Sequence, residues 1–396
     1  MMMRVVFLSQ YFIPEIFSST YLFYDLLLAS KENNNENIII APFPVRGVSK
    51  SQIEKFSIAY EENEYGKIYR FQCFTGFKNS FFGRFLRMLS LVHKEVKALK
   101  KLGQIDKIVI PSTPPLFLLH AVSRFAKKRN VELIYHIHDL YPDILFRSKS
   151  PFYHPLNHIL VRALKRVNKI VVISTDIKDS LLKKGVSSDK IHVIPNWPRF
   201  KSKLPDPTNH ELEALKRNIE FDGSKVNAFY IGNLGVFQDM DVIVKAAKKI
   251  NETNHQVKIS IVGSGSKQKR LFKLLKKYRL KNIAFYPRVS QEEAEWLYLL
   301  ADYNLISLKP GAIFSACPSK TSMCVMAQKP MILIVDEKSK YAESFKQGNY
   351  IVNCGDYMKL AAVLSDLQKR PAFQGDSALE EYYAKERNIA LWKKLL

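Results

Sequence analysis

The stretch "VNAFYIGNLG" (residues 226–235) decides the fold. Its first six residues are mostly apolar and do not alternate with charge, so a strand here is buried on both faces. Glycines follow at 232 and 235, and then "MDVIVKAAKKI" (240–250) brings apolar residues back at helical spacing. "VKISIVGSG" (257–265) repeats the aliphatic run and ends in a second glycine turn. Strand, glycine turn, helix and strand make a βαβ unit, and strands of this kind belong to a mostly parallel sheet covered by helices on both sides.

The alternation extends in both directions. Downstream come "IAFYPRVS" (283–290), the helical "EEAEWLYLLAD" (292–302), "YNLISLKP" (303–310) and "PMILIVD" (330–336). Upstream, strands are expected in "RVVFLSQYF" (4–12), "NIIIAPFPV" (37–45), "KIYRFQCF" (67–74), "DKIVIPST" (106–113), "VELIYHIHD" (131–139) and "NKIVVIST" (168–175). Helices are expected over 83–101, 115–128 and 155–166. The segment "IHVIPNWPRFKSKLPDPTN" (191–209) is rich in proline and charge and separates the two series. The chain of 396 residues therefore divides into two doubly wound α/β modules, 1–200 and 201–378. The final helix, 379–396, either caps the second module or crosses back to the first.

Composition narrows the function. Apolar residues make up 47% of the chain, which excludes disorder throughout. Sixty-one basic against 37 acidic residues leave a net charge of +24, which calls for an anionic partner: nucleic acid, an acidic membrane surface or a phosphorylated substrate. Cys73, Cys317, Cys324 and Cys354 form no CxxC pair, so neither a disulfide scaffold nor structural zinc is expected. His136, His138, Asp139 and Asp143 match no zinc or two-metal spacing, and no metal or other cofactor is expected. "MMMRVVFLSQYF" lacks the apolar run of a signal peptide, and no run is long enough to span a bilayer. A cytoplasmic chain is expected, peripheral on the inner face of the cell membrane.

Ligands of open parallel sheets sit where strands end and helices begin. Gly232 and Gly235, then Gly263 and Gly265, occupy two such turns, where glycine lets a backbone approach a ligand or simply makes a tight turn. Neither pair completes GxGxxG, and GxxxxGK[ST] is absent. In "ACPSKTSMCVMAQKP" (316–330), Ser319 or Thr321 is expected to cap a short helix whose first N–H groups meet a phosphate. Lys320 is unwelcome at the positive end of a helix unless an anion sits there; otherwise it faces water. Arg288 stands in another strand exit. In the first module "HIHDLYPD" places His138 and Asp139 at a strand end, where an imidazole can serve a sugar hydroxyl and the carboxylate can orient it. Glu15 occupies the first strand exit, either toward a ligand or as a surface turn.

Taken in order, these loops resemble those of glycosyltransferase family 4, retaining nucleotide-sugar enzymes of the GT-B fold, in which two Rossmann-like domains face each other across a cleft. The resemblance rests on "YFIPEIFSST", "YHIHDLYPD", the "IHVIPN" segment, "YIGNLG", "IVGSGSKQ", "YPRVSQEE" and "CPSKTSMCVMAQKP", and it spans nearly the whole chain. It implies that the second domain binds the nucleotide sugar and the first, joined by the final helix with Trp392 packed against it, binds the acceptor. It implies Lys320, with Ser319 and Thr321, at the diphosphate; Gly232, Asn233, Gly263 and Gly265 against phosphate or sugar; Arg288 and Val289 near the base; and His138, with Asp139, beside the transferred sugar. Glu15, Ser18 and Ser19 fall in the acceptor loop. The chain departs from many members at Phe17, Ser18 and Ser19, where they have a glycine pair, and at Val236 and Phe237, where they have an arginine. Ala316 and Cys324 stand where many carry glutamates. The "PSK" form resembles a branch that makes bacterial surface sugars, capsule and O-antigen among them.

The reaction so implied moves a sugar, an N-acetylated amino sugar from a UDP-linked donor, to a polyprenyl-diphosphate-linked saccharide. "GRFLRMLSLVHKEVKALKKL" (83–102) and "NHILVRALKRVNK" (157–169) supply basic, partly apolar helices for an anionic membrane surface, or are solvated outer faces. A nucleotide-sugar epimerase and a non-catalytic binder of anions or nucleic acid are the rival readings. No zinc-finger or RNP pattern supports nucleic acid, and none is expected as a partner.

Overall fold

The computed structural model describes residues 2–15, 20–45, 48–74, 76, 81–111, 116–145, 150–199, 208–251, 256–367, 369 and 373–396. Ser18 and Ser19 lie outside them. The chain forms two compact units. One comprises Met1–Arg199, Ser315–Cys317 and Glu386–Leu396; the other comprises Phe200–Phe314 and Pro318–Lys385.

In the first unit the strands are β1 (Arg4–Leu8), β2 (Glu36–Pro42), β3 (Tyr60–Asn63), β4 (Gly66–Phe71), β5 (Lys107–Pro111), β6 (Glu132–Ile137), β7 (Lys169–Val172) and β8 (Ile191–Val193). They are ordered β3-β4-β2-β1-β5-β6-β7-β8. All pairings are parallel except that of β3 with β4. The sequence reading has no strand at β3. Its "YEEN" carries no apolar run because it lies at the sheet edge, where charge discourages pairing with another chain.

The aliphatic runs are buried on both faces, and alternate residues divide between two cores. Val6, Leu8, Ile108, Ile110, Leu133 and Ile137 pack beneath the helices Phe81–Lys101, Leu116–Arg129 and Tyr153–Leu164. Val5, Phe7, Val109, Ile134 and Val171 face the other way, against Leu22, Leu26 and Leu27 of the helix Thr20–Glu32 and against Trp197, Trp392, Leu395 and Leu396. The last helix, Lys385–Lys393, thus closes the second face of this sheet.

The second unit contains β9 (Val226–Asn233), β10 (Val257–Ser264), β11 (Ile283–Tyr286), β12 (Tyr303–Ser307), β13 (Met331–Val335) and β14 (Tyr350–Asn353). Their order is β11-β10-β9-β12-β13-β14, and every pairing is parallel. Counted within the unit this is 3-2-1-4-5-6, the doubly wound order whose reversal lies between β9 and β12. Met240–Ile250 buries Val242, Ile243, Ala246, Ala247 and Ile250 on this sheet, and Tyr357–Ser365 packs beside it with Leu360, Ala361 and Leu364.

Candidate functional site

Where strand order reverses, the loops leaving the two flanking strands part in opposite directions and open a crevice at their C-terminal ends. In the second unit those strands are β9 and β12. β9 runs out into Gly232, whose φ of +134° suits glycine and few other residues. A Cβ at this position would stand 3.4 Å from Nζ of Lys320 and 3.5 Å from its Cε, so the missing side chain also leaves room for the lysine. Lys320 arrives from the loop after β12, past the 3-10 turn Ala312–Phe314, and is the residue before the helix Thr321–Met326. Its stem is partly exposed, but Nζ is buried, has no hydrogen-bond partner among the described residues, and lies 3.4 Å from the centroid of the Tyr230 ring.

A buried ammonium without a counter-charge is unfavourable, and burial pushes Lys320 down from 10.5 to about 7. The aromatic face offsets part of that cost. An oxyanion placed at the amine would supply the rest. Tyr230 went unnoticed in the sequence, although alternation along β9 sets residues 230 and 232 on one face, directly under the approach of Lys320. Its hydroxyl donates to the Asn233 carbonyl at 2.7 Å, which ties the ring to the turn.

Capping at the short helix differs from expectation. Neither Ser319 nor Thr321 caps it: the N-cap is Lys320, without a side-chain hydrogen bond. Thr321 is buried, with Oγ1 donating to the Pro318 carbonyl at 2.7 Å and lying 2.8 Å from the Tyr341 hydroxyl. Its hydroxyl is therefore occupied in fixing the segment, while Ser319 is exposed. The glycines of the next turn also have a structural reason. A Cβ on Gly263 would fall 1.9 Å from the Gly232 carbonyl oxygen, and one on Gly265 would fall 2.4 Å from that of Leu234. These residues are glycine because the β9 turn occupies the space. Asn233 is exposed beside Gly232. Arg288 and Val289 follow β11, two strands from β9 and so about 10 Å to the side. Arg288 is exposed.

In the first unit His138 and Asp139 leave β6, and Asp139 bridges to Ala316 while the Leu140 N–H donates to the Ser315 carbonyl at 2.7 Å. Burial draws His138 down to about 4 and pushes Asp139 up to about 6. His138 is consequently neutral at neutral pH, able both to donate and to accept. Its ring lies 4.0 Å from that of His136, whose other neighbour is the Trp392 ring at 4.8 Å. Glu15 is not a surface-turn carboxylate. It is 1% exposed, and its Oε1 accepts from the Val45 N–H at 3.0 Å, because a buried carboxylate requires donors.

Residues 44–197 match the model described as Glycosyltransferase Family 4, and residues 212–308 match Glycosyl transferases group 1. The second match stops before the Lys320 segment. The putative colanic acid biosynthesis glycosyl transferase WcaI of Escherichia coli (strain K12) is 25% identical over 219 residues, 54% of this chain and 53% of the relative. The probable glycosyltransferase WbjE of Pseudomonas aeruginosa is 23% identical over 273 residues, 66% of each. The chain thus spans about half to two thirds of the curated relatives it matches. Anabaena HepE, solved with UDP and glucose, superposes with a TM-score of 0.65 at 14% identity, covering 99% of this chain and 95% of that one. That likeness is one of fold.

Proposed function

As a GT-B chain related to the family 4 and group 1 glycosyltransferases, this protein is, we propose, a retaining transferase that moves a sugar from a UDP-linked donor to a lipid-linked saccharide during assembly of a bacterial surface polysaccharide. The observation that carries the reading is the partnerless Lys320 amine beside Gly232 and over Tyr230, at the point where strand order reverses. An oxyanion bound at this amine would give it a counter-charge. A relative named for colanic acid biosynthesis and a fold neighbour solved with UDP support the substrate class.

In the proposed reaction the bond between the sugar C1 and the diphosphate oxygen breaks, and the acceptor oxygen bonds to C1 on the same face. The acceptor proton passes to the departing phosphate, so no protein nucleophile is required. Negative charge grows on the leaving diphosphate, and an amine held in place before the reaction stabilises that charge more than it stabilises the donor. Loss of one such donor costs about 3 kcal/mol. His138, neutral at working pH, hydrogen-bonds a hydroxyl of the transferred sugar, and Asp139 belongs to the same strand exit. The sugar proposed is an N-acetylated amino sugar, and the acceptor a polyprenyl-diphosphate-linked saccharide.

The acceptor would be met at a membrane. No helix among the described residues is long and apolar enough to cross one. The helices Phe81–Lys101, Leu116–Arg129 and Tyr153–Leu164 lie side by side over one face of the first sheet, and the one carboxylate in their sequences, Glu95, is buried. Lys94, Lys97, Lys100, Lys101 and Arg124 are exposed on this layer, together with Phe85 and Leu89. Such a layer suits anionic headgroups.

The deciding experiment incubates the purified chain with a panel of nucleotide sugars and membrane-extracted lipid acceptors, and follows glycolipid by mass spectrometry. Acceptor-dependent glycolipid from a UDP-sugar is expected, with Lys320→Ala losing most of it. Conversion of the donor without acceptor would instead identify an epimerase, and donor-independent binding of duplex or single-stranded nucleic acid a binding protein.

A further inference from the structure

Along β6, residues 134 and 136 share the face of the strand covered by the last helix, and His138 follows just past the strand end. Trp392 of that helix is fully buried there, with its ring at 67° and 4.8 Å from His136; His136 lies at 46° and 4.0 Å from His138. Three rings therefore form a ladder within the first unit, from the core to the strand exit. The Nε2 of His136 and the Nε1 of Trp392 are buried and make no hydrogen bond among the described residues. An unmade bond of this kind costs on the order of 1–3 kcal/mol, so these groups are held by shape and edge-on ring packing rather than by polar pairing.

We propose that Trp392 and His136 are positioning residues, whose edge-on and tilted ring contacts fix the plane of the His138 imidazole against the transferred sugar. The inference rests on the role given above to His138. The ladder requires uncharged rings, since two imidazolium groups at this spacing would repel, and burial lowers the affinity of both histidines for a proton. Among the described residues, the titratable groups beside this exit include Asp139, Tyr141 and Tyr135, all pushed up by burial, and Tyr11 next to Tyr141. Lys393, adjacent to Trp392, is directed to Glu32 at 2.5 Å.

Two pairs of variants in the full chain test this: Trp392→Ala with Trp392→Phe, and His136→Ala with His136→Phe. The first readout is the titration of His138 by NMR without ligand, assigned with His138→Gln. In the native chain and the Phe variants His138 stays neutral to about pH 5, whereas in the Ala variants the opened space moves its titration up by about one pH unit or more. The second readout is transfer: the Ala variants lose about tenfold or more in kcat with the donor KM unchanged, and the Phe variants recover most of it. An Ala variant that keeps its near-UV circular dichroism, the native His138 titration and the native kcat overturns the proposal. If Trp392→Ala does not fold, the His136 pair decides. If His138→Gln retains full transfer, the reading of His138 fails, while the titrations still judge the ladder itself.

Discussion

Replacing Lys320 by methionine keeps the length of the side chain and removes the amine, and the geometry predicts opposite effects on stability and binding. The amine titrates at about 7 in the fold against 10.5 for an ordinary lysine. The unfolded chain therefore holds this proton more tightly, and stability rises with pH between about 7 and 10.5. At about 1.36 kcal/mol per pH unit the burden of the buried charge is at most about 5 kcal/mol at and below neutrality, and it vanishes near pH 10.5. Lys320→Met removes that burden. Without ligand, at pH 7, the variant is expected to melt several degrees above the native chain, since 1 kcal/mol shifts Tm by about 2–4 °C in a domain of this size. The gain should shrink as pH is raised toward 10. UDP, the nucleotide of the proposed donor, is expected to reverse the order. Its phosphates restore a counter-charge, so the native chain takes up about half a proton per UDP bound at pH 7, and close to one at pH 9. The variant takes up none at this site and binds about 10- to 150-fold more weakly. Differential scanning fluorimetry across pH, with calorimetry in buffers of different ionisation enthalpy, measures both effects. Lower stability of Lys320→Met at neutral pH, or UDP binding of native affinity, would refute the reasoning.

Gly232→Ala puts a side chain at φ +134° and against the amine. A loss of about 1–3 kcal/mol in urea denaturation is expected, with weakened UDP binding. Glu95 is fully buried with neither oxygen bonded among the described residues, and burial pushes it well above the carboxylate range. It is held neutral, so the native chain loses stability as pH rises from about 4.5 through the folded value. Glu95→Leu should flatten that dependence and raise Tm, as read by thermal melts between pH 4 and 8. Replacing Lys94, Lys97, Lys100 and Lys101 by glutamine should abolish sedimentation with phosphatidylglycerol vesicles at low salt, each lysine being worth about 1 kcal/mol, while UDP binding in the other unit is unchanged.

The sequence by itself determined most of the elements and their class, though not the edge strands β3 and β14. "VNAFYIGNLG" and its counterparts become β9 and the strands around it because an aliphatic run too apolar for a one-sided sheet has few other uses. Helix spans such as Phe81–Lys101 follow from equally local spacing. Lys320 was also visible, as a cation at the wrong end of a helix. What surrounds it was decided by the tertiary structure. That Tyr230 lies beneath the amine follows from β12 taking its place beside β9, and that Gly263 is needed follows from the register that sets it opposite Gly232. The same holds for Glu15, which looks like a turn carboxylate until the backbone of Val45 reaches it, and for His136, caught between Trp392 and His138. Periodicity is a property of neighbours along the chain. Strand order, register and the contacts of distant side chains come from burying both faces of each sheet at once, a condition that no single segment contains.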